Sequence, residues 1–443
     1  MTPSRDRSSL IETQTLAHVT RRLVPLLVTC FFVAYLDRVN VSFAALTMNR
    51  DIGLSSAAFG LGAGLFFLSY SLFEIPSNLF LARVGARRWI ARIMFTWGLV
   101  SGAMALVTDA RSFYVLRLVL GVAEAGFFPG IIYYLTLWFP SSHRARITGY
   151  FMAAVPLSTV IGAPVSGVLL GMNGVGGMHG WQWMFILEAI PSLVMSVVIW
   201  HYLPDSPRDA SWLAPEARRW LTERLEADAA APSASHSVTL RALLNPRVLA
   251  LSFVYFGAVA TMYGMSFFLP QIVKAFGVTD VQTGLISAIP YVAGLCAAVY
   301  WSRRSDRFAE RRFHTAAPLL LASTSIALST FLPNPVAKMA ALTVAGFGIF
   351  GCLPVFWTLP TAFLVGPAAA GGIALINSIG NVAGFVGPFA MGWMHDATGS
   401  YSTGLLLLAA LGAVAGGVVL WVSRAQLASG RHDTGAGSPR AVR

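Results

Sequence analysis

Charge is what this chain has least of: Asp, Glu, Lys and Arg make up 11% of its 443 residues, against 56% hydrophobic residues. Ordinary soluble domains carry about 25% charged residues. A soluble fold would have to cover that apolar surplus with partners, whereas a membrane protein turns it towards lipid. Cysteine is scarce as well. Cys30, Cys296 and Cys352 lie in separate apolar runs without metal-ligand spacing, which supports neither a disulfide framework nor a zinc site. No Walker motif is present, so nothing points to ATP-driven work. The glycine-rich run Gly346-Phe-Gly-Ile-Phe-Gly351 sits inside an apolar stretch, where small residues permit close helix contact. No nucleophile–base set or metal motif marks an intramembrane enzyme. The polar start of the chain leads straight into a full-length apolar run, which argues against a cleavable signal peptide.

What the chain has is apolar stretches of about 20 residues, long enough to cross a bilayer. They fall near 23–47, 57–81, 89–108, 112–138, 147–171, 182–203, 248–274, 280–301, 313–333, 336–361, 371–394 and 401–423. The spacing predicts an all-α polytopic membrane protein of about twelve helices. Its expected organisation is an N-terminal segment 1–22, a six-helix bundle 23–203, a central loop 204–247, a second six-helix bundle 248–423 and a tail 424–443. Basic residues cluster in alternate loops: Arg83, Arg87, Arg88 and Arg92 after the second span, Arg144 and Arg146 after the fourth, and Arg303 to Arg312 after the eighth. Cations mark cytoplasmic loops, so both termini and the insert are expected in the cytoplasm. That placement also explains the +12 formal charge without nucleic acid as a partner. Within the insert, Pro215 to Leu225 alternates apolar and charged residues, as an amphipathic surface helix does. Arginine-rich loops and Gly/Pro marks recur at matching places in the two halves, which predicts pseudo-two-fold symmetry about the membrane normal.

Four ionisable residues interrupt the apolar spans: Asp37 and Arg38 in the first, Arg117 and Glu124 in the fourth. Holding a charge in a membrane helix costs roughly 2.5–3.5 kcal/mol on insertion scales, so such residues face a cavity or a partner. An acid and a base in each of two helices is what a proton-coupled carrier of a small anion needs. The depths of Asp37, Arg38 and Glu124 in their spans are similar, and Arg117 and Glu124 share one helical face about two turns apart. Arg38 is the first choice for gripping a carboxylate, because guanidinium offers a planar fork with two parallel donors. Neighbouring residues point about 100° apart on a helix, so Asp37 is expected to contact another helix, with Arg117 as candidate partner. The alternative is a fixed Asp37–Arg117 ion pair that only sets packing. Glu124 and Asp37 are the candidate proton carriers, since opening to one side or the other changes the balance between burial and nearby cations. Asn377 and Asn381, four apart in the eleventh span, share a face and could bind oxygens of a substrate. Tyr263, Gln271, His179 and His395 are weaker candidates.

The motifs Tyr35-Leu-Asp-Arg-Val-Asn40, Arg117-Leu-Val-Leu-Gly-Val-Ala-Glu-Ala-Gly-Phe-Phe-Pro-Gly130, Leu203-Pro-Asp-Ser-Pro207 and Phe268-Leu-Pro-Gln-Ile-Val-Lys274 carry a resemblance. The chain resembles a major facilitator superfamily transporter of the anion:cation symporter family, over about 20 to 424. Glu74-Ile-Pro-Ser-Asn78 through Gly85-Ala-Arg-Arg-Trp89 resembles the phthalate/tartrate-like branch. The resemblance implies a site near the bilayer midplane between halves that rock around it. It also implies proton coupling at Asp37 and Glu124, substrate binding or charge pairing at Arg38 and Arg117, and Tyr35 and Tyr70 lining the site. Asn381 matches the family pattern better than Asn377. A cytoplasmic gate motif is implied at Gly85, Arg87 and Arg88 in the first half and at Asp306, Arg307 and Arg311 in the second. The first half departs from that motif: Ala82 stands where the family has an acid, which puts a carboxylate latch there in doubt.

The expectation is proton-coupled uptake of a small organic anion, a mono- or dicarboxylate, by a monomer in a bacterial inner membrane. The proton gradient is its energy source, with no cofactor or metal. An exporter or antiporter of drugs or metabolites is the main rival; Gly162-Ala-Pro is similar to an antiporter motif. A carboxylate-sensing receptor is a further one, although no signalling domain is attached.

Overall fold

The computed structural model describes residues 3–230, 245–361 and 367–433, and every regular element among them is helical. The long helices are α1 (Pro3–Asp51), α2 (Ser56–Val84), α3 (Ala86–Ala103), α4 (Ala110–Glu124), α5 (Phe127–Thr136), α6 (Ser141–Leu170) and α7 (Gly180–Tyr202). They continue, after the amphipathic α8 (Pro215–Ala230), with α9 (Pro246–Lys274), α10 (Asp280–Phe308), α11 (Arg312–Phe331), α12 (Pro335–Phe356), α13 (Pro367–Thr398) and α14 (Tyr401–Asp433). Proline lies inside most of them, as membrane helices tolerate.

Among the described residues, 11 helical segments are long and apolar enough to cross a membrane, α4 and α5 together forming one. The expected ninth span also forms a helix, α11, but falls short on composition. Arg312, His314 and Thr315 begin it, and Ser323, Thr324, Ser325, Ser329 and Thr330 dilute its apolar character.

Two compact units emerge. The first comprises Met1–His236, Tyr263–Val292 and Gly384–Gly404, the second Ser237–Met262, Ala293–Ala383 and Leu405–Arg443. In the first, α1 packs on α6 and α7, α2 on α4, and α3 on α7. Small residues set these distances. A Cβ on Gly121 would stand 2.1 Å from Ser69 Oγ and 2.3 Å from the Phe66 carbonyl, so α4 can approach α2 only with glycine there. In the second unit, Val248, Leu251 and Val254 of α9 meet Leu319 of α11, Cys352 and Phe356 of α12, and Ile376 of α13.

The polar start of the chain is not a separate segment. It is helical from Pro3 and runs unbroken into the membrane-spanning part of α1, with Leu16 and Val19 buried. The insert holds it there. Trp212 stacks on His18 at 5.3 Å and on Trp138 at 5.8 Å, with Arg22 over the same ring at 5.0 Å. Leu213 and Leu221 are buried, so α8 docks its apolar side on the first unit.

Candidate functional site

The fourth span is not one helix. Ala125 is extended and Gly126 is left-handed at φ 83°, so α4 ends at Glu124 and α5 restarts at Phe127. A capping box between Asp109 and Ser112 fixes the other end of α4. A carboxylate in the last turn of a helix meets the negative end of the helix dipole, which makes a cation partner more valuable.

Arg38 supplies it. Its Nη2 donates to Glu124 Oε1, joining α1 to α4. Glu124 is 1% exposed. The guanidinium lies 4.9 Å from the Tyr35 ring, 5.2 Å from Phe66 and 5.5 Å from Tyr70, so aromatic faces wrap the pair. Arg38 Nε is buried and has no hydrogen-bond partner. Tyr263, a weaker candidate from sequence, stands with this group: its hydroxyl is 3.4 Å from that of Tyr35, and its ring is 4.5 Å from Phe67.

Arg117 serves elsewhere. It is 1% exposed, and its Nε and Nη2 donate to the carbonyl oxygens of Gly62 and Ala63 at 3.2 and 3.1 Å. Its guanidinium lies 4.9 Å from Phe66, on which Arg38 also lies. Gly62 is also where α4 comes close to α2, since a Cβ there would overlap the Phe113 ring.

The expected Asp37–Arg117 contact does not form. Asp37 turns instead to α3 and α7, accepting from Trp97 Nε1 at 2.6 Å, Ser192 Oγ at 2.6 Å and Ser101 Oγ at 3.2 Å. The reason is the rotation between consecutive helical residues: Arg38 faces α4, which leaves Asp37 on the side of α1 that packs against α7. Trp97, Ser101 and Ser192 were missed by sequence reading, as was Glu188 of α7, buried one turn from Ser192. The signal was present: polar side chains four apart, Trp97 with Ser101 and Glu188 with Ser192, inside apolar spans.

Asn377 and Asn381 both lie on α13, half-buried, in the second unit. Gln271 accepts from the Tyr401 hydroxyl at 2.8 Å, His179 meets Asp51 at 3.2 Å, and His395 stacks on Tyr401 at 4.0 Å.

The loop residues expected to form a gate motif have partners in both halves. In the second, Arg311 pairs with Asp306 at 2.6 Å and donates to Ser305 Oγ at 2.9 Å, while Arg307 is exposed. In the first, Ala82 leaves no acid next to Arg83, yet a carboxylate from elsewhere in the chain meets Arg87. Asp205, from the Leu203-Pro-Asp-Ser-Pro207 motif, accepts from the Arg87 backbone N–H at 2.8 Å and lies 3.7 Å from Arg87 Nε. Gly85 allows it, since a Cβ there would come within 2.9 Å of Asp205 Oδ1. Arg88 is exposed beside them.

The family description Major Facilitator Superfamily matches residues 27–388. The chain belongs to the major facilitator superfamily. It is a multi-pass membrane transporter of that type. A protein of Agrobacterium vitis named as a tartrate transporter is 51% identical over 94% of this chain and 96% of its own length. A quinolone resistance transporter of Acinetobacter baumannii is 45% identical over 88% of this chain and 90% of its own. The superfamily fold recurs in a bacterial homolog of the human lysosomal transporter Spinster, solved in an inward-facing and unoccupied conformation. It has a TM-score of 0.75 at 17% identity, over 93% of this chain and 97% of that one.

Proposed function

We propose that this transporter takes up a small organic anion, a mono- or dicarboxylate, together with protons, by alternating access. The observation that carries the reading is the state of Arg38: one donor is held by Glu124, and the buried Nε has no partner. A fork with a spare donor suits a cargo carboxylate. Protonation of Glu124 removes the charge that competes for the fork, and the cargo carboxylate takes its place. Loss of that proton on the other side restores the Arg38–Glu124 pair and expels the anion. Proton and cargo therefore move together.

Tyr35 and Tyr70 shape the pocket around the guanidinium, and Asn377 and Asn381 are the anion ligands proposed from the second half. Arg117, with its donors on α2 carbonyls, positions the Phe66 platform. Asp37 is a second proton-binding group. The Asp205–Arg87 and Asp306–Arg311 contacts latch the cytoplasmic loops, with Gly85, Arg88 and Arg307 completing the motif. The 51% identical relative named for tartrate supports an anionic cargo of that size. The transporter acts as a monomer in a bacterial inner membrane, with both termini cytoplasmic, driven by the proton gradient alone.

A second reading, export by exchange, draws on the 45% identical relative named for quinolone resistance. Proteoliposomes loaded and unloaded with labelled tartrate, under a pH gradient of either sign, separate the two. Uptake driven by inward proton flow, lost in Glu124→Gln while counterflow persists, is the expected result. Full accumulation by Glu124→Gln defeats the proton role, and extrusion of a quinolone with no anion uptake favours the exporter.

A further inference from the structure

The polar core behind α1 contains a second acid that the Arg38–Glu124 pair does not use. Glu188 of α7 is 2% exposed. Ser166 Oγ of α6 donates to its Oε1 at 2.7 Å, and its Oε2 has no hydrogen-bond partner. Asn40 of α1, also buried and with an unbonded Nδ2, is its neutral neighbour. The charged group that faces it is another acid, Asp37, also on α1. No ion pair reaches Glu188 from any cation among the described residues.

The two acids are treated very differently. Asp37 receives three donors, from Trp97, Ser101 and Ser192, which suits a carboxylate. Glu188 receives one, from Ser166 at 2.7 Å, with the Asn40 amide facing it from α1. Two buried carboxylates facing one another across α1 and α7 without a cation would both be desolvated and would repel one another. One charge between them removes most of that cost. Ser192 and Glu188 are one turn apart on α7, and Asp37 and Asn40 are one turn apart on α1, so the facing surfaces of these two helices hold both acids.

We propose that Glu188 carries a proton on its unbonded Oε2 and forms with Asp37 a second proton-binding centre, on the side of α1 that packs against α7 rather than the side that carries Arg38. The centre holds one proton and one negative charge between two carboxyl groups, with Ser166 fixing Oε1. It requires nothing of the cargo, so it stands or falls separately from the reading of Arg38.

Infrared spectra of the purified full-length transporter in lipid test it without any cargo. The carbonyl stretch of a protonated carboxylic acid is expected at neutral pH in the wild type and in Glu124→Gln, and is expected to be lost in Glu188→Gln. Transfer to deuterium oxide should shift that band, because a proton-binding centre exchanges with water as the carrier alternates. Ser166→Ala removes the hydrogen bond to Oε1 and should change the band's frequency without abolishing it. That variant decides the matter even where Glu188→Gln does not fold. A band that survives Glu188→Gln, keeps its frequency in Ser166→Ala, or fails to shift in deuterium oxide overturns the proposal.

Discussion

Arg38 and Glu124, on different helices and 86 positions apart, hold one another directly, and the arginine keeps a buried Nε without a partner. Arg38→Lys tests whether the fork matters beyond its charge. Lysine keeps the cation but offers a compact ammonium in place of the planar guanidinium. Losing one charge-assisted hydrogen bond to a cargo carboxylate is worth about 1.5–3 kcal/mol, or roughly 10- to 150-fold in apparent affinity. The expected outcome in tartrate uptake is a rise in KM of that size with the protein still inserted. An unchanged KM would mean that cargo does not touch Arg38.

Asp37 and Arg117 lie in separate networks, one of hydroxyl and indole donors, the other of α2 carbonyl oxygens. Asp37→Asn and Arg117→Met should each destabilise, since each strands buried polar partners at about 1–3 kcal/mol apiece. The double variant should show the sum, with an interaction energy below about 0.5 kcal/mol. Thermal unfolding of the detergent-purified protein measures all four corners of the cycle. A coupling of several kcal/mol would restore the ion pair that the structure replaces.

Why do these residues stand out in the sequence while their partners do not? Charges inside apolar runs are legible because the bilayer makes them costly, so Asp37, Arg38, Arg117 and Glu124 stood out at once. Their partners depend on which way each helix turns. A 100° step separates Asp37 from Arg38, and nothing local says which of them faces α4. Neutral groups hid better. Trp97, Ser101 and Ser192 carry no charge penalty, whereas Glu188, an acid inside an apolar span, gives the same kind of signal as Glu124. The carboxylate that meets Arg87 was hidden for another reason. The sequence shows a missing acid at Ala82, but its replacement, Asp205, lies more than a hundred residues away and only folding brings it to Gly85. The helices themselves were read almost whole. The exceptions were the break at Gly126 and the start of α1, where a polar N-terminal stretch continues the helix because Trp212 packs on it.

Gly126 is the next test. Its φ of 83° lies in the left-handed region, and an added Cβ would come within 2.4 Å of Ser77 Oγ. Gly126→Ala therefore combines a backbone penalty of roughly 1–2 kcal/mol with overpacking of about 1–3 kcal/mol. Relief requires α5 to shift against α2, which moves the end of α4 and with it Glu124. The expected result is a lowered Tm together with weakened proton-driven uptake. Normal stability and normal coupling in this variant would show that the break in the fourth span has no part in holding the acid.

Glu310 gives a pH dependence outside the membrane. Burial opposes its ionisation. The Phe313 N–H at 2.7 Å, the His314 ring at 2.7 Å and the His314 N–H at 3.1 Å outweigh that cost and hold its carboxyl below the ordinary value of 4.5. These bonds satisfy N–H groups at the start of α11, where a carboxylate also meets the positive end of the helix dipole. A depressed folded-state pKa stabilises the native protein above the unfolded value of 4.5 and loses that contribution as pH falls through the lower folded value. Thermal unfolding of the wild type should therefore weaken through this acid window more than that of Glu310→Gln, which has no proton to bind there. Above it, near neutral pH, the variant should be the less stable of the two. Parallel Tm–pH curves for the two proteins would mean that the Glu310 carboxylate contributes nothing to the entry of α11.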